Sequence, residues 1–374
     1  MKTTYITHAI AAIVLAVVCL ITVVASETEN SERDLLIIDT DAGSDDAVAI
    51  FYLLGAEMYL RDGYRGGMKI MAITCVHGHT RVDNVVQNVM RVLHEVNRMD
   101  IPVYRGAEKS LVITTPNDNY YGKDGMGDVP SFFCVHPDLL NTELAVVALL
   151  RIVDENPGQI TLLTLGPLTN VAIAIRLDGG FLKKLKKLII LGGSIAGRRY
   201  IKPDFNFFMD PEAVHVVFNA TDMNCNKTSL VSWEAILKTK ISWGWRKNEL
   251  GILDSPEVQF INAIEHIKDH GDRGDYEDHE DYEDRRYHGD SEEYYTDDEK
   301  LWRPADSIAA AVFLDQDIIV KDMEAYAITT IMTGESRGEI EVEDEREDLG
   351  SEPKASIVLA IDTQQFKNSL MRYF

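Results

Sequence analysis

Leu35-Leu-Ile-Ile38 is an unbroken apolar run, closed by Asp39. Four residues without alternation are too few for a helix and predict a strand buried on both faces. The loop Asp39 to Asp46 follows, then an apolar-rich stretch from Ala47 to about Leu60 that reads as a helix. The pattern repeats downstream, with strands expected at Met68–Val76, Ile101–Tyr104, Ile160–Leu165 and Leu185–Leu191. Between them, Val82–Asn97, Ala145–Asp154 and Leu168–Ile175 carry apolar residues at helical spacing. A further helix ends near Lys268, another element starts near Trp302, and Ala355–Ile361 reads as a late strand. Strands alternating with helices predict a single α/β domain over 33–374, with a mainly parallel central sheet covered by helices on both faces. Ligands of such sheets bind outside the carboxyl ends of the strands.

Two stretches break the pattern. Residues 269–299 carry 15 acidic and 3 basic residues and no aliphatic ones, so they cannot bury a core and are expected to form a disordered acidic insertion. They supply half of the formal net charge of −24. Residues 339–353, also acid-rich, read as a second acidic loop. A charge of this sign argues against nucleic acid or an anionic membrane surface as partner, because both need a basic face.

At the N-terminus, Lys2 precedes an apolar run from about Ala9 to Val24, and Val23 and Ala25 suit the small-residue positions before a cleavage point. Residues 1–25 thus read as a signal peptide, with a retained signal anchor as the alternative. The run is short for a bilayer span, so no stable membrane association is expected, and both readings place the protein outside the cytosol as a secreted or extracellular chain. Cys19 would leave with the signal, and Cys75, Cys134 and Cys225 are an odd number, which fits one disulfide plus a free thiol or three free thiols. Asn219-Ala-Thr221 and Asn226-Lys-Thr228 are glycosylation sequons. Within the insertion, Tyr276, Tyr282, Tyr294 and Tyr295 sit among acids, a context for tyrosine sulfation, and Arg273-Gly-Asp275 resembles an integrin-binding tripeptide. The plain alternative for both is a solvated acidic loop.

The densest chemistry is Asp39-Thr-Asp-Ala-Gly-Ser-Asp-Asp46, four carboxylates within eight residues at the end of a buried strand. Like charges packed this closely repel unless a cation or a shared proton neutralises them. Oxygen ligands of this kind suit Ca²⁺ or Mg²⁺ rather than zinc. A solvated acidic turn whose last aspartate caps the next helix would show the same composition.

The arrangement resembles the inosine–uridine preferring nucleoside hydrolase family, as a secreted, divergent member. The family's opening motif, Asp-x-Asp-Pro-Gly-x-Asp-Asp, is matched from Asp39 to Asp46 with Ala42 in place of proline. Ile73-Thr-Cys-Val-His-Gly78 resembles its second strand and loop, Leu165-Gly-Pro-Leu-Thr-Asn170 its Gly-x-Leu-Thr-Asn element, and Leu191-Gly-Gly193 a glycine strand end. Phe205-Asn-Phe-Phe-Met-Asp-Pro-Glu-Ala213 and the late Asp306 complete the set in the family's order. The resemblance implies hydrolysis of the N-glycosidic bond of a ribonucleoside to ribose and free base, with Ca²⁺ as cofactor. By position, Asp41, Asp46, the main-chain carbonyl of Leu165 and Asp306 would hold the cation. Asp41 would take a proton from the metal-bound water. Asp45 and Asn206 would contact ribose hydroxyls, and Asp39 would brace the loop. Family members are commonly dimers or tetramers, so a homo-oligomer is a further expectation.

The chain also departs from the family pattern. His79 stands where asparagine is usual, Arg198 where an amide is usual, Asp204 where a glutamate is usual and Tyr121 where a histidine is common. Ala305 stands where one branch has a histidine that helps the base leave. His79, Arg198 and Asp204 are thus the altered substrate-binding candidates, and Arg198 would fill the pocket or bind an anionic group. Three functions follow: a Ca²⁺-dependent nucleosidase, a catalytically weak or inactive secreted binding or effector protein on the same fold, or a calcium-binding adhesion protein acting through 269–299.

Overall fold

A computed structural model describes residues 33–61, 67–130, 141–197, 203–220, 227–266, 300–344 and 355–374. The calls on the signal segment 1–25, on Arg198, on Cys134 and Cys225, on the sequon at Asn226 and on the insertion 269–299 lie outside these residues.

Nine strands form one sheet: β1 (Asp34–Thr40), β2 (Met68–Cys75), β3 (Val103–Arg105), β4 (Ile160–Thr164), β5 (Lys187–Leu191), β6 (Thr228–Val231), β9 (Val320–Thr330), β10 (Ile340–Asp344) and β11 (Ala355–Ile361). Their order is β10-β9-β11-β6-β5-β4-β1-β2-β3. Every pairing from β3 across to β11 is parallel, and β9 and β10 add antiparallel pairings at one edge. A two-stranded ribbon, β7 (Ile241–Ser242) with β8 (Leu301–Trp302), stands apart from the sheet.

Strand β1 shows why its apolar run does not alternate. Leu36 and Ile38 join the core on one face of the sheet, while Ile37 joins the core on the other. Successive side chains of a strand point to opposite faces, so a strand covered twice needs apolar residues at every position. One face is covered by α1 (Ser44–Arg61), α2 (Val82–Glu95), α8 (Pro256–Ile264), α9 (Ala305–Ile319) and α10 (Thr363–Tyr373). The other is covered by α3 (Ala145–Glu155), α4 (Thr169–Leu177) and α6 (Pro211–Asn219), reached through the short α5 (Phe205–Met209). Helix α7 (Trp233–Lys238) follows β6. Val82, Val85, Val86, Val89 and Leu93 make the buried stripe of α2, the spacing of an amphipathic helix.

The chain leaves β1 for β2 on one side and returns to pair β4 on the other, so the strand order reverses between β1 and β4. Loops after these strands diverge there and open a crevice at their carboxyl ends. Asp39, Leu165 and the loops that follow converge at this point.

Two expectations are corrected. The helix after β1 starts at Ser44 rather than Ala47, so Asp45 and Asp46 lie in its first turn, where the helix dipole favours negative charge. The expected acidic loop at 339–353 begins as strand β10, paired to β9 from Ile340↔Thr330 to Asp344↔Tyr326. Its Glu-Ile-Glu-Val pattern is the period-2 alternation of an edge strand with Ile340 buried, and charges on such an edge discourage further pairing. Among the described residues no helix is long and apolar enough to cross a membrane.

Candidate active site

The turn between β1 and α1 is fixed by its own short polar side chains. Thr40 donates its hydroxyl hydrogen to Asp46 Oδ1 and accepts from the amide of Ala42 at 3.0 Å. The amide of Gly43 donates to Asp46 Oδ2 at 2.8 Å. The chain doubles back through Ala42, whose φ of +44° lies in the left-handed region that side chains with a Cβ disfavour. A proline locks φ near −65° and could not take this conformation. The Ala42 departure from the family motif and the path of the backbone therefore go together. Gly43 lies under the ring of Tyr121, which a Cβ there would meet at 2.7 Å.

Asp39 lies deepest. Its Oδ2 accepts from Thr74 Oγ1 at 2.6 Å and from Asn170 Nδ2 at 2.8 Å, and burial pushes its carboxyl up to about 7 against those bonds. Asn170 also donates to the carbonyl of Cys75 and accepts from the amide of Ala107, so one amide ties together the ends of β1, β2 and the loop after β3. That geometry agrees with a bracing part for Asp39. Asp41 comes next, fully buried, its Oδ2 accepting from the amide of His79 at 3.1 Å. Gly78 lets the second loop pass this close, since a Cβ there would fall 1.8 Å from that oxygen. Burial raises Asp41 to about 6, with the charge of His79 and its amide hydrogen bond pulling down and Asp45 pushing up.

Asp45, Asp46 and Asp306 each offer a carboxylate oxygen within 4.8 Å of the others. Asp306 is delivered by the first turn of α9. The segment leading into it is pinned by the Trp302 indole, which donates to Glu265 Oε1 at 2.8 Å, and by the buried Arg246–Glu265 ion pair at 2.7 Å. Burial first, then the neighbouring carboxylates, drive Asp46 and Asp306 well above the usual carboxylate range. Such a group holds protons or takes a cation, and oxygen donors of this kind fit a hard divalent ion. The trio includes Asp45, expected at a ribose hydroxyl, while Asp41 adjoins it and raises Asp46 through its charge. The amide of Leu165 donates to the carbonyl of Asp39 at 2.7 Å, and its carbonyl accepts from Asn206 Nδ2 at 2.6 Å. A carbonyl oxygen has two lone pairs, so that bond leaves capacity for a second partner.

Asn206 Nδ2 also reaches the carbonyl of Leu191 at 3.3 Å. Asp204 turns its carboxylate to the backbone, accepting from Gly193 N at 2.6 Å and Phe207 N at 3.3 Å as the cap of α5. Burial pushes its carboxyl to about 7 despite those bonds. Ala305 begins α9 beside Asp306 and is buried.

The opposite wall is aromatic. The His79 ring stacks on Phe205 with centroids 3.9 Å apart and planes within 5°, and meets Tyr121 edge-on at 4.9 Å. Its Nδ1 pairs with Asp118 Oδ1 at 3.0 Å. Burial works against charge on this ring, but the Asp118 bond and the charges of Asp41, Asp118 and Asp45 outweigh it and carry the imidazole to about 10. Tyr121 is driven upward by burial and by Asp45, to which it is hydrogen-bonded.

The residues that sequence reasoning passed over are supports. Thr40 and Thr74 are small hydroxyls inside motif segments, and Asn170 ends the Gly-x-Leu-Thr-Asn element, whose pattern does not show what its amide ties together. Asp118 carries no local signal, because only the fold brings its loop to His79.

The chain is 34% identical over 194 residues to uridine nucleosidase 1 of Arabidopsis thaliana, covering 50% of this chain and 54% of that protein. It is 35% identical over 188 residues to the inosine-uridine preferring nucleoside hydrolase of Leishmania major, covering 49% and 56%. The chain thus spans little more than half the length of the curated relatives it matches. Among solved structures, the plant nucleoside hydrolase PpNRh1 superposes with a TM-score of 0.72 at 24% identity, over 91% of this chain and 98% of that one. An inosine-guanosine nucleoside hydrolase matches with the same TM-score, identity and coverage, and both show the fold. The sequence model of the inosine-uridine preferring nucleoside hydrolase family matches residues 36–368, nearly the whole described chain, and the protein belongs to that family.

Proposed function

We propose that the protein hydrolyses the N-glycosidic bond of ribonucleosides, releasing ribose and free base, with Ca²⁺ as its cofactor. The observation that carries this reading is the cluster of Asp45, Asp46 and Asp306 beside the buried Asp41 at the strand-order reversal, where burial and neighbouring carboxylates raise Asp41, Asp46 and Asp306. Asp41, Asp46, Asp306 and the Leu165 carbonyl would hold the cation, with Asp45 close to Asp46 and Asp306. Bound there, the ion supplies positive charge that makes a nearby water more acidic and steers ribose hydroxyls into place.

Asp41 is the proton acceptor for the attacking water. Burial leaves it more basic than an exposed aspartate, and the His79 amide fixes its orientation. Asp45 accepts from a ribose hydroxyl. Asn206, with its amide hydrogens engaged by two carbonyls, meets another through Oδ1. The sugar becomes cationic at its anomeric carbon in the transition state, and the surrounding carboxylates stabilise that charge. Supporting the same reading, the relatives named above are nucleosidases by name. We further propose that the protein acts outside the cytosol, on the strength of the apolar segment before Ala25.

The test is release of free base and reducing sugar from inosine, uridine, adenosine, guanosine and cytidine, with Ca²⁺ and with chelator. Turnover that needs Ca²⁺ and is lost in Asp41→Asn supports the enzyme. Saturable nucleoside binding without turnover would move the assignment to a binding protein on this fold.

A further inference from the structure

Asn88 lies on α2, outside every motif, and is 1% exposed. Its Nδ2 donates to the carbonyl of Ala42 at 3.2 Å and to the carbonyl of Asp124 at 2.8 Å. Both neighbours are carbonyl oxygens, which fixes which end of the amide faces them. Ala42 is the left-handed residue at the centre of the carboxylate turn, and Asp124 belongs to the loop that lays Tyr121 over Gly43. One buried amide therefore joins the carboxylate turn to the loop that carries Tyr121.

We propose that Asn88 is a positioning residue. It clamps Ala42 in its strained conformation and, by the same side chain, docks the Tyr121 loop, so that the carboxylates are arranged for a cation before one arrives. The conformation at Ala42 is over-determined from both sides. Its amide is held by Thr40 Oγ1 at 3.0 Å and its carbonyl by Asn88. A strained backbone persists only where its surroundings impose it. Releasing the carbonyl lets Ala42 relax toward negative φ, which swings Asp41 and the start of α1 apart. Further bonds seat the Tyr121 loop, with Thr80 Oγ1 donating to the carbonyl of Lys123 at 2.9 Å and Arg91 to Asp124 Oδ2 at 3.2 Å. Loss of Asn88 therefore loosens that loop without detaching it.

The inference rests on the reading of the carboxylates as a cation site, and the experiment separates the two. Tb³⁺, a luminescent stand-in for Ca²⁺, is titrated into the full chain and its sensitised emission followed. Asn88→Ala is expected to weaken Tb³⁺ binding about tenfold or more, the usual scale for a group that orients a metal ligand. In an Ala42→Gly background the same substitution is expected to cost less than about threefold, because glycine takes positive φ without a clamp. Asn88→Ser, which keeps a donor, measures the same pair of losses should Asn88→Ala fold poorly. Faster hydrogen exchange at Gly125 and Gly127 in Asn88→Ala is the accompanying sign of a loosened Tyr121 loop. Equal losses in both backgrounds, or no loss in either, overturn the clamp. Failure of the unaltered protein to bind Tb³⁺ removes the cation reading and this inference with it.

Discussion

The floor of the site and its aromatic wall are built on different principles. The floor, from Asp39 through Asp46 with Asp306, is attached to the ends of β1 and β4 and to the first turns of α1 and α9. Asp39, Asp41, Asp46 and Asp306 are buried there, and the first three accept hydrogen bonds from Thr40, Gly43, Thr74, His79 and Asn170. The wall of His79, Phe205, Tyr121 and Asp118 comes from loops and the start of α5, and ring contacts and one partly exposed ion pair hold it together. A floor built on the sheet can change only at the cost of the core beneath it. Side chains of such a wall can be replaced without disturbing a strand, and His79 and Tyr121, two of this chain's departures from its family's pattern, lie there.

Substitutions in the floor should therefore abolish the reaction, and substitutions in the wall should retune it. The largest effect is expected from Asp41→Asn, which keeps the shape but cannot accept a proton. Base release should fall on the order of 10²–10⁴-fold, measured at saturating Ca²⁺. A fall of only a few-fold would take the proton-acceptor part away from Asp41. Removing the ion should act through the same region, so dialysis against chelator should stop base release and Ca²⁺ should restore it.

His79→Ala and Asp118→Asn probe the wall. Each should raise KM by about tenfold, the scale of one well-placed contact of roughly 1.4 kcal/mol, with a smaller change in kcat and an unchanged melting temperature. Equal losses in kcat and kcat/KM would instead place His79 among the groups that act in the transition state.

Thr74→Val tests the support beneath the floor. It deprives the buried Asp39 Oδ2 of one of two donors, and thermal unfolding should show a loss of about 1–3 kcal/mol.

The smallest effect is in the pH dependence of the cation-free protein. Burial holds Asp39 near 7 and Asp41 near 6, and Asp46 is also raised, all above the unfolded value of 3.8. The contribution of Asp39 and Asp41 is complete below about pH 4 and is lost as pH rises through 6 to 7, and that of Asp46 likewise weakens as pH rises above its unfolded value. With chelator present, Asp46→Asn should gain melting temperature relative to the unaltered protein between pH 4.5 and 7.5. With Ca²⁺ that gain should disappear or reverse. A gain that shrinks with rising pH would mean that Asp46 is charged and compensated without an ion.

Much of the fold could be read from the pattern alone, since apolar runs such as Leu35–Ile38 and the stripe of α2 are consequences of burial that any chain must show. Ala355–Ile361 is a strand over the expected residues. At 340–344 an alternating acidic strand and an acidic loop have the same composition, and only the partner β9 distinguishes them. Ser44, Asp45 and Asp46 have the composition of a loop, and only the structure shows them as the first turn of α1.

The sequence by itself determined the parallel sheet, the carboxylate-rich turn and the order of motifs that marks the family. Each is a local property, set by burial period or by spacing along the chain. Only the tertiary structure decided which carboxylates meet, that Asp204 caps a helix, that Asp118 reaches His79 and that Asn88 touches both loops of the site. Apart from the Asp204 cap, the contacts of His79, of Asn88 and of Asp306 with the carboxylate turn join residues from 36 to more than 250 positions apart in the sequence. Their distances follow from strand order and helix packing, which no local pattern encodes.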